Sequence, residues 1–303
     1  MIMQDIRRIL ADTKDLTKKK KIILDTDTYN EVDDQFALAF ALLSDKVELL
    51  SVNAAPFKNS RSISPADGME KSYNEILNIM KLMGKEGVAP VYRGSTEWLS
   101  DKTKPVESDA ARNIVNTVMA SDEMIYIVAI GAITNVASAL IMQPAVANKA
   151  CVVWLGGHSN EWEHTREFNM VQDVKSSQIV LDSGIPFIQI PCAGVCDHLA
   201  TTIPELEYYL RGKNELCDYL VDIVRSYPPK GHEYCWSKVI WDVSAIAVLA
   251  IPGALDTVIQ ATPILTDNCL YAYDKARHPM VYVRSLNRNV IFAELFRALT
   301  NMA

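Results

Sequence analysis

Four aspartates, Asp25, Asp27, Asp33 and Asp34, fall within ten residues. The first two lie at the end of a short apolar run, KIILD at 21–25, and the other two open the apolar stretch DQFALAFALL at 34–43. Set beside buried elements, four anions repel one another unless positive charge sits among them. A helix N-terminus offers only about half an elementary charge. A hard divalent cation, calcium or magnesium, is bound by carboxylate and carbonyl oxygens and would supply the rest. The plain alternative makes Asp33 and Asp34 ordinary acids of a first helical turn and Asp25 a structural turn residue. A further acid, Asp242, stands in KVIWDVSAIAVLA, again where a helix begins after an apolar stretch. The turn Gly131-Ala132-Ile133-Thr134-Asn135 adds either a backbone carbonyl for an ion or a simple Thr-Asn cap. A cation held by such groups acidifies and orients a water molecule, and that is hydrolytic chemistry.

These residues can meet only if the intervening elements bring them together. Residues 21–25, 47–52, 124–131 and 150–156 read as strands, and 34–43, 66–83, 108–120 and the segment from Thr134 read as helices. Short apolar strands alternating with helices predict a mostly parallel sheet covered on both faces. In such sheets ligands bind beyond the carboxyl ends of the strands, where Asp25, Asp27 and Gly131 fall. Farther along, VKSSQIVLDSG reads as a helix, PFIQIP as a strand, and 204–226 as one long helix ended by Pro228 and Pro229. Residues 239–250 enter another helix, and YVRSLNRNVIFAELFRAL gives a strand and a closing helix. No linker or repeat interrupts the chain. The expected organisation is a single domain over 1–303 with a lead-in at 1–20.

Composition narrows the functions. A net charge of −7 argues against a broad footprint on polymeric nucleic acid. The one strong basic run, Lys18 to Lys21, reads as a solvated approach to the first strand. No segment approaches eighteen uninterrupted apolar residues, so no membrane partner is expected. Six cysteines without CxxC spacing, and an opening segment charged throughout, predict free thiols in a reducing cytoplasm.

Four blocks together resemble the inosine-uridine-preferring nucleoside hydrolases. DTDTYNEVDDQFALAFAL is similar to the family's amino-terminal aspartate motif, and GAITNVASAL to its GPxTN turn. WLGG followed by EFNMVQD is similar to its glycine pair and EFN segment, and WDVSAIAVL to its carboxy-terminal HD segment. The resemblance implies a Rossmann-like α/β domain, a mostly parallel central sheet flanked by helices, and a tightly held calcium ion. It implies Asp27, Asp34 and Asp242 as carboxylate ligands, the Thr134 carbonyl as another, and Asp27 as general base. It further implies Asp33 and Asp242 on the ribose hydroxyls, with Glu167 and Asn169 holding the 3′ and 5′ side. The expected activity is calcium-dependent cleavage of the N-glycosidic bond of a purine or pyrimidine ribonucleoside, or of a related ribosyl compound, by a homodimer or homotetramer.

The chain departs from the family pattern in three places. Five residues, Thr28 to Val32, separate Asp27 from Asp33, where the family has three, so Asn30 or Glu31 could enter the site. Ala55 stands where the family has a sugar-contacting asparagine, with Asn53 and Asn59 as candidate substitutes. Trp241 replaces the histidine that protonates the leaving base. Indole stacks on flat rings but is no acid near neutrality, so the proton donor is sought among the loop histidines. His164 comes before His158 and His232 because it directly precedes EFN. Trp162, Tyr227, Tyr234 and Trp236 are candidates for an aromatic base pocket. Two rival readings remain: a haloacid-dehalogenase-like phosphatase with Asp25 as nucleophile, and a ribosyl-compound binding protein that has lost catalysis.

Overall fold

The computed structural model describes residues 2–231 and 234–302. Helix α1 (Ile2–Lys14) occupies most of the expected lead-in and buries Ile6 and Ile9. The basic run is correspondingly not all solvated. Lys20 opens β1 (Lys20–Thr26) and is buried, its ammonium 3.2 Å from Asp12 of α1. A lysine stem tolerates apolar surroundings when its charge finds a partner. The chain then alternates as expected through α2 (Asp34–Leu43), β2 (Val47–Ala54), α3 (Pro65–Leu82), β3 (Val91–Arg93) and α4 (Asp109–Ala120). It continues through β4 (Ile125–Ala129), α5 (Thr134–Met142), β5 (Ala150–Leu155), the short α6 (Phe168–Gln172), α7 (Val174–Asp182) and β6 (Phe187–Ile190).

Beyond β6 the structure corrects the expectations. After β7 (Ala200–Thr201), the single helix expected at 204–226 is two, α8 (Ile203–Leu210) and α9 (Glu215–Arg225). Gly212 lies between them at φ +73°, a left-handed conformation no α-helix continues through, and Asn214 then caps α9. The segment 239–250 begins extended, as β8 (Lys238–Val239), and becomes helical only in α10 (Val243–Ala250). Strands β9 (Leu255–Ala261), β10 (Ile264–Leu265) and β11 (Tyr271–Ala272) were not anticipated, and they precede β12 (Pro279–Leu286) and α11 (Arg288–Thr300).

The main sheet runs β3-β2-β1-β4-β5-β6-β12-β9, parallel throughout except for β9 against β12. Successive side chains of a strand point to opposite faces: Ile22 and Leu24 enter one apolar cluster and Ile23 the other. The first cluster packs beneath α1, α2, α10 and α11, the second beneath α4, α5 and α7. Chain progress reverses at β1, whose neighbours are β2 on one side and β4 on the other. Such a switch point opens a crevice at the carboxyl ends of the two strands. Among the described residues no helix is long and apolar enough to cross a membrane.

Candidate active site

The crevice between β1 and β4 holds the acids. Asp25 is fully buried, and the Asn135 amide donates to its Oδ2 at 3.0 Å. Asn135 is itself fixed by Ser95, whose N–H donates to its Oδ1 at 2.7 Å. Burial pushes Asp25 up to about 7, against the opposing pull of Asn135 and Asn53. One oxygen held by the Asn135 amide inside the sheet suits the structural reading of Asp25.

Two residues on, Asp27 is equally buried, yet neither carboxylate oxygen has a hydrogen-bond partner. The β4–α5 turn approaches it so closely that a Cβ on Gly131 would lie 2.9 Å from its Cγ. Glycine is needed there for backbone to pass over the carboxylate. Asp34 accepts from the Thr26 hydroxyl at 2.5 Å. Asp33 and Asp242 occupy the N-cap positions of α2 and α10, which pack together. Neither side chain caps its helix. An aspartate at this position ordinarily gains about 1 kcal/mol by capping, and both forgo it to face one another. Oxygens of Asp33, Asp34 and Asp242 all lie within 4.8 Å of each other.

Burial, followed by the neighbouring carboxylates, raises Asp27 and Asp242 well above the ordinary carboxylate range and Asp34 to about 7. A buried, unpartnered carboxylate costs several kcal/mol unless it is neutralised. The orphaned oxygens of Asp27 beside this trio therefore fit a hard divalent cation, whose charge would return the group to its ionised form. Thr134 opens α5 just past Gly131, and its hydroxyl donates to Asp173 at 2.9 Å.

Asp33 is the exception within the cluster. Its Oδ2 accepts the Trp241 N–H at 3.1 Å, and its Oδ1 lies 3.5 Å from the Lys238 ammonium. Lys238 also pairs with Glu31 from the longer loop. Of the two loop residues expected as entrants, Glu31 thus comes to the cluster's edge, while Asn30 is held by the Asn59 amide at 2.6 Å. Asn59 is thereby committed to the loop and is not free to replace the missing asparagine. Asn53 accepts from Asn113 at 3.1 Å inside the core. Ala55 stands beside Gly131, where a Cβ would meet its own Cβ at 3.2 Å.

Glu167 and Asn169 come to the same end of the sheet. Glu167 caps α6, accepting backbone N–H groups of Asn169, Gly157 and Met170 at 2.8, 3.0 and 3.1 Å. Burial still lifts it to about 7. The Asn169 amide donates to the Ile130 and Leu155 carbonyls, tying β4 to β5, and its Oδ1 accepts nothing among the described residues. Cys192, which sequence reasoning passed over, is buried, and its N–H donates to the carbonyl of Gly157 at 2.8 Å.

His164 is half-buried in the loop after β5. Its Nδ1 accepts the Arg166 N–H at 3.3 Å, and its ring lies 5.8 Å from that of His158. No hydrogen bond or ion pair joins it to the acids among the described residues. His232 lies outside the described residues. The expected aromatic pocket does not assemble. Trp162 sits by His158, ring centroids 5.3 Å apart, Tyr234 is 95% exposed, and Trp236 packs on the core. Only Tyr227 borders the acid cluster, its ring 5.8 Å from the Lys238 ammonium. Trp241 is half-buried, and its backbone makes the contact with Asp33.

A sequence profile described as inosine-uridine preferring nucleoside hydrolase matches residues 22–270. The pyrimidine-specific ribonucleoside hydrolase RihB of Escherichia coli is 28% identical over 188 residues, 57% of this chain. The matched region spans only 59% of that relative's length. Among solved structures, the purine-preferring ribonucleoside hydrolase of Gardnerella vaginalis superposes with a TM-score of 0.76 at 21% identity, over 93% of this chain and 99% of that one. The type III effector XopQ, solved with adenosine diphosphate ribose, gives a TM-score of 0.71 at 14% identity, over 98% of both chains. At these identities the superpositions show the fold alone.

Proposed function

Since the chain belongs to the inosine-uridine preferring nucleoside hydrolase family, we propose that it hydrolyses the N-glycosidic bond of a ribonucleoside or related ribosyl compound, releasing base and ribose. The observation that carries this reading is Asp27: a fully buried carboxylate with both oxygens unpartnered, at the switch point and beside three further acids. In this reading a calcium ion is held by Asp27, Asp34, Asp242 and the Thr134 carbonyl. When bound, it supplies charge that keeps the acids ionised and lowers the pKa of water. Asp27 accepts the proton of the water attacking C1′. Asp33 and Asp242 accept hydrogen bonds from ribose hydroxyls, and Glu167 and Asn169 border the other edge of the sugar. The surrounding carboxylates favour the oxocarbenium character that develops as the bond breaks. Trp241 offers apolar area for the departing ring, and His164 is assigned its protonation. The Arg166 N–H on its Nδ1 supports an Nε2 proton available for donation.

The test is a screen of ribosides by product chromatography, with and without calcium, on the native protein and Asp27→Asn. Calcium-dependent release of free base by the native protein alone is the expected result. No release from any riboside sinks the reading. A second reading keeps the fold and the ribosyl ligand but not turnover. It is favoured by Ala55 and Trp241 at two departing positions and by the likeness to an effector solved with a ribosyl nucleotide. A nitrophenyl riboside separates the two, because its leaving group departs without an acid. Self-association as a dimer or tetramer and a reducing, cytoplasmic location belong to the same proposal. Six cysteines, none of them disulfide-bonded, support the latter.

A further inference from the structure

Lys238 is the single described cation that reaches the buried acids, and it reaches only one of them. Its side chain is 9% exposed, on a two-residue strand paired to β7 through Thr201. The next turn of chain is fixed as well, with the Ile240 N–H donating to Leu199 at 2.9 Å. The ammonium is held between Glu31 and Asp33 over the Tyr227 ring. Asp33 therefore has both oxygens engaged by one segment, Oδ1 by Lys238 and Oδ2 by the Trp241 N–H. Asp27 has neither oxygen engaged, Asp34 has its Oδ1 on a hydroxyl, and Asp242 makes no capping bond. Four acids of one type in one crevice are thus divided into one with a permanent counter-ion and three without.

We propose that Lys238 is a positioning residue that holds Asp33 out of the ion's coordination and keeps it presented to substrate. This rests on the hydrolase reading of the site. Two arguments support it. An Asp33 oxygen lies within 4.8 Å of oxygens of Asp34 and Asp242, but Asp33 gives up its bonds to an ammonium and a backbone N–H if it turns to a metal, whereas Asp27 gives up none. Lys238 also repels a divalent ion, and that repulsion is strong at low local dielectric. The ion is pushed toward the unpartnered side of the cluster, away from Asp33. Glu31, contributed by the longer loop, balances the lysine and holds it in place.

The prediction runs against the usual effect of disturbing a metal site. Full-length protein stripped with chelator and titrated with calcium in a calorimeter should bind one ion. Lys238→Met removes the repelling charge and frees a fourth carboxylate, so calcium should bind roughly tenfold tighter or more, because affinity rises with ligand charge. The same variant should lose riboside affinity, seen as a raised KM, because Asp33 is drawn to the ion. Lys238→Arg should restore both. Glu31→Gln, at a half-exposed position, should act in the opposite direction and weaken calcium several-fold. A merely structural role predicts weaker calcium in both variants. Unchanged or weaker calcium binding by a folded Lys238→Met protein overturns the inference alone. Absence of calcium binding by the native protein overturns the hydrolase reading and this inference with it. If Lys238→Met does not fold, Lys238→Gln takes its place: tighter calcium binding supports the assignment, and unchanged or weaker binding overturns it.

Discussion

Asp173 caps α7 and accepts four hydrogen bonds, from Leu99 N–H, Ser176 N–H and the hydroxyls of Thr134 and Ser176. Asp27, at the end of β1, is at least as deeply buried and accepts none. Side-chain hydrogen bonds to a carboxylate contribute about 1.5–3 kcal/mol each when the group is charged. One region of the protein therefore spends its aspartate on holding loops and helix together, and the other leaves an aspartate without partners. The difference separates architecture from function more cleanly than burial does. Thr134 links the two regions, since its hydroxyl serves Asp173 while it opens α5 three residues after Gly131, which passes over Asp27.

The largest effect should come from the unpartnered side. Asp27→Asn is close to isosteric but accepts no proton from water. Turnover should fall about 10²-fold or more, equally for natural nucleosides and for a nitrophenyl riboside. The variant's metal-free fold should be no less stable than that of the native protein, because an ionisable group that folding must hold protonated has been removed. Near-normal turnover, with calcium content unchanged, would take Asp27 out of the base role.

His164→Ala should discriminate where Asp27→Asn does not. Natural ribosides should slow by roughly 10²-fold, and the nitrophenyl compound should stay within a few-fold of native. Equal slowing of both means His164 binds ribose and does not protonate the base. No slowing of either moves the proton source to water, to His158 or to His232.

The partnered side should respond in stability. Asp173→Ala strands two backbone donors and two hydroxyls, all four of them on Leu99, Ser176 and Thr134 in the buried interior. We expect a loss of about 2–4 kcal/mol in urea unfolding. If the fold survives with an unchanged midpoint, the contrast drawn between the two aspartates fails.

Much of this contrast was legible in the sequence, and part was not. The alternation of apolar runs and helices, and the acids at 25–34 and 242, located the crevice because strand ends and helix starts carry their own local signals. Asp173 carried only the local part of its signal: the two bonds from Ser176 are those of a helix cap, but Leu99 and Thr134 lie far away in the chain. Lys238 was invisible for the same reason: it precedes Trp241 by three residues but finds Glu31 and Asp33 only through the fold. The aromatic pocket failed because aromatic residues close in sequence diverged to Trp236 in the core and Tyr234 in solvent. The break between α8 and α9 was missed because Gly212 marks a left-handed residue only when its dihedral angles are seen.

The smallest expected effect concerns pH, and it is a direct consequence of leaving the acids without partners. In the metal-free protein Asp34 is pushed to about 7, and Asp27 and Asp242 are raised well above their ordinary range, in each case first by burial and then by neighbouring acids. In the unfolded chain the same groups ionise near 3.9. Between those limits the folded state binds more protons than the unfolded state, so stability falls as pH rises. The loss begins above about pH 4, grows through pH 7, and ends once the folded groups have ionised as well. Each tenfold difference in proton affinity between the two states is worth about 1.4 kcal/mol, so even partial expression should be measurable by thermal unfolding. Chelator-treated protein should melt at a higher temperature at pH 5.5 than at pH 8. Calcium should narrow that difference, because it binds only the ionised acids and stabilises the protein at pH 8 by about 2.7 kcal/mol at a hundredfold excess over its Kd. Asp27→Asn should flatten the metal-free slope, and Asp173→Ala should leave it as it is. A metal-free protein whose stability rises across this range would mean that the buried acids already have partners, and the distinction between Asp27 and Asp173 would not hold.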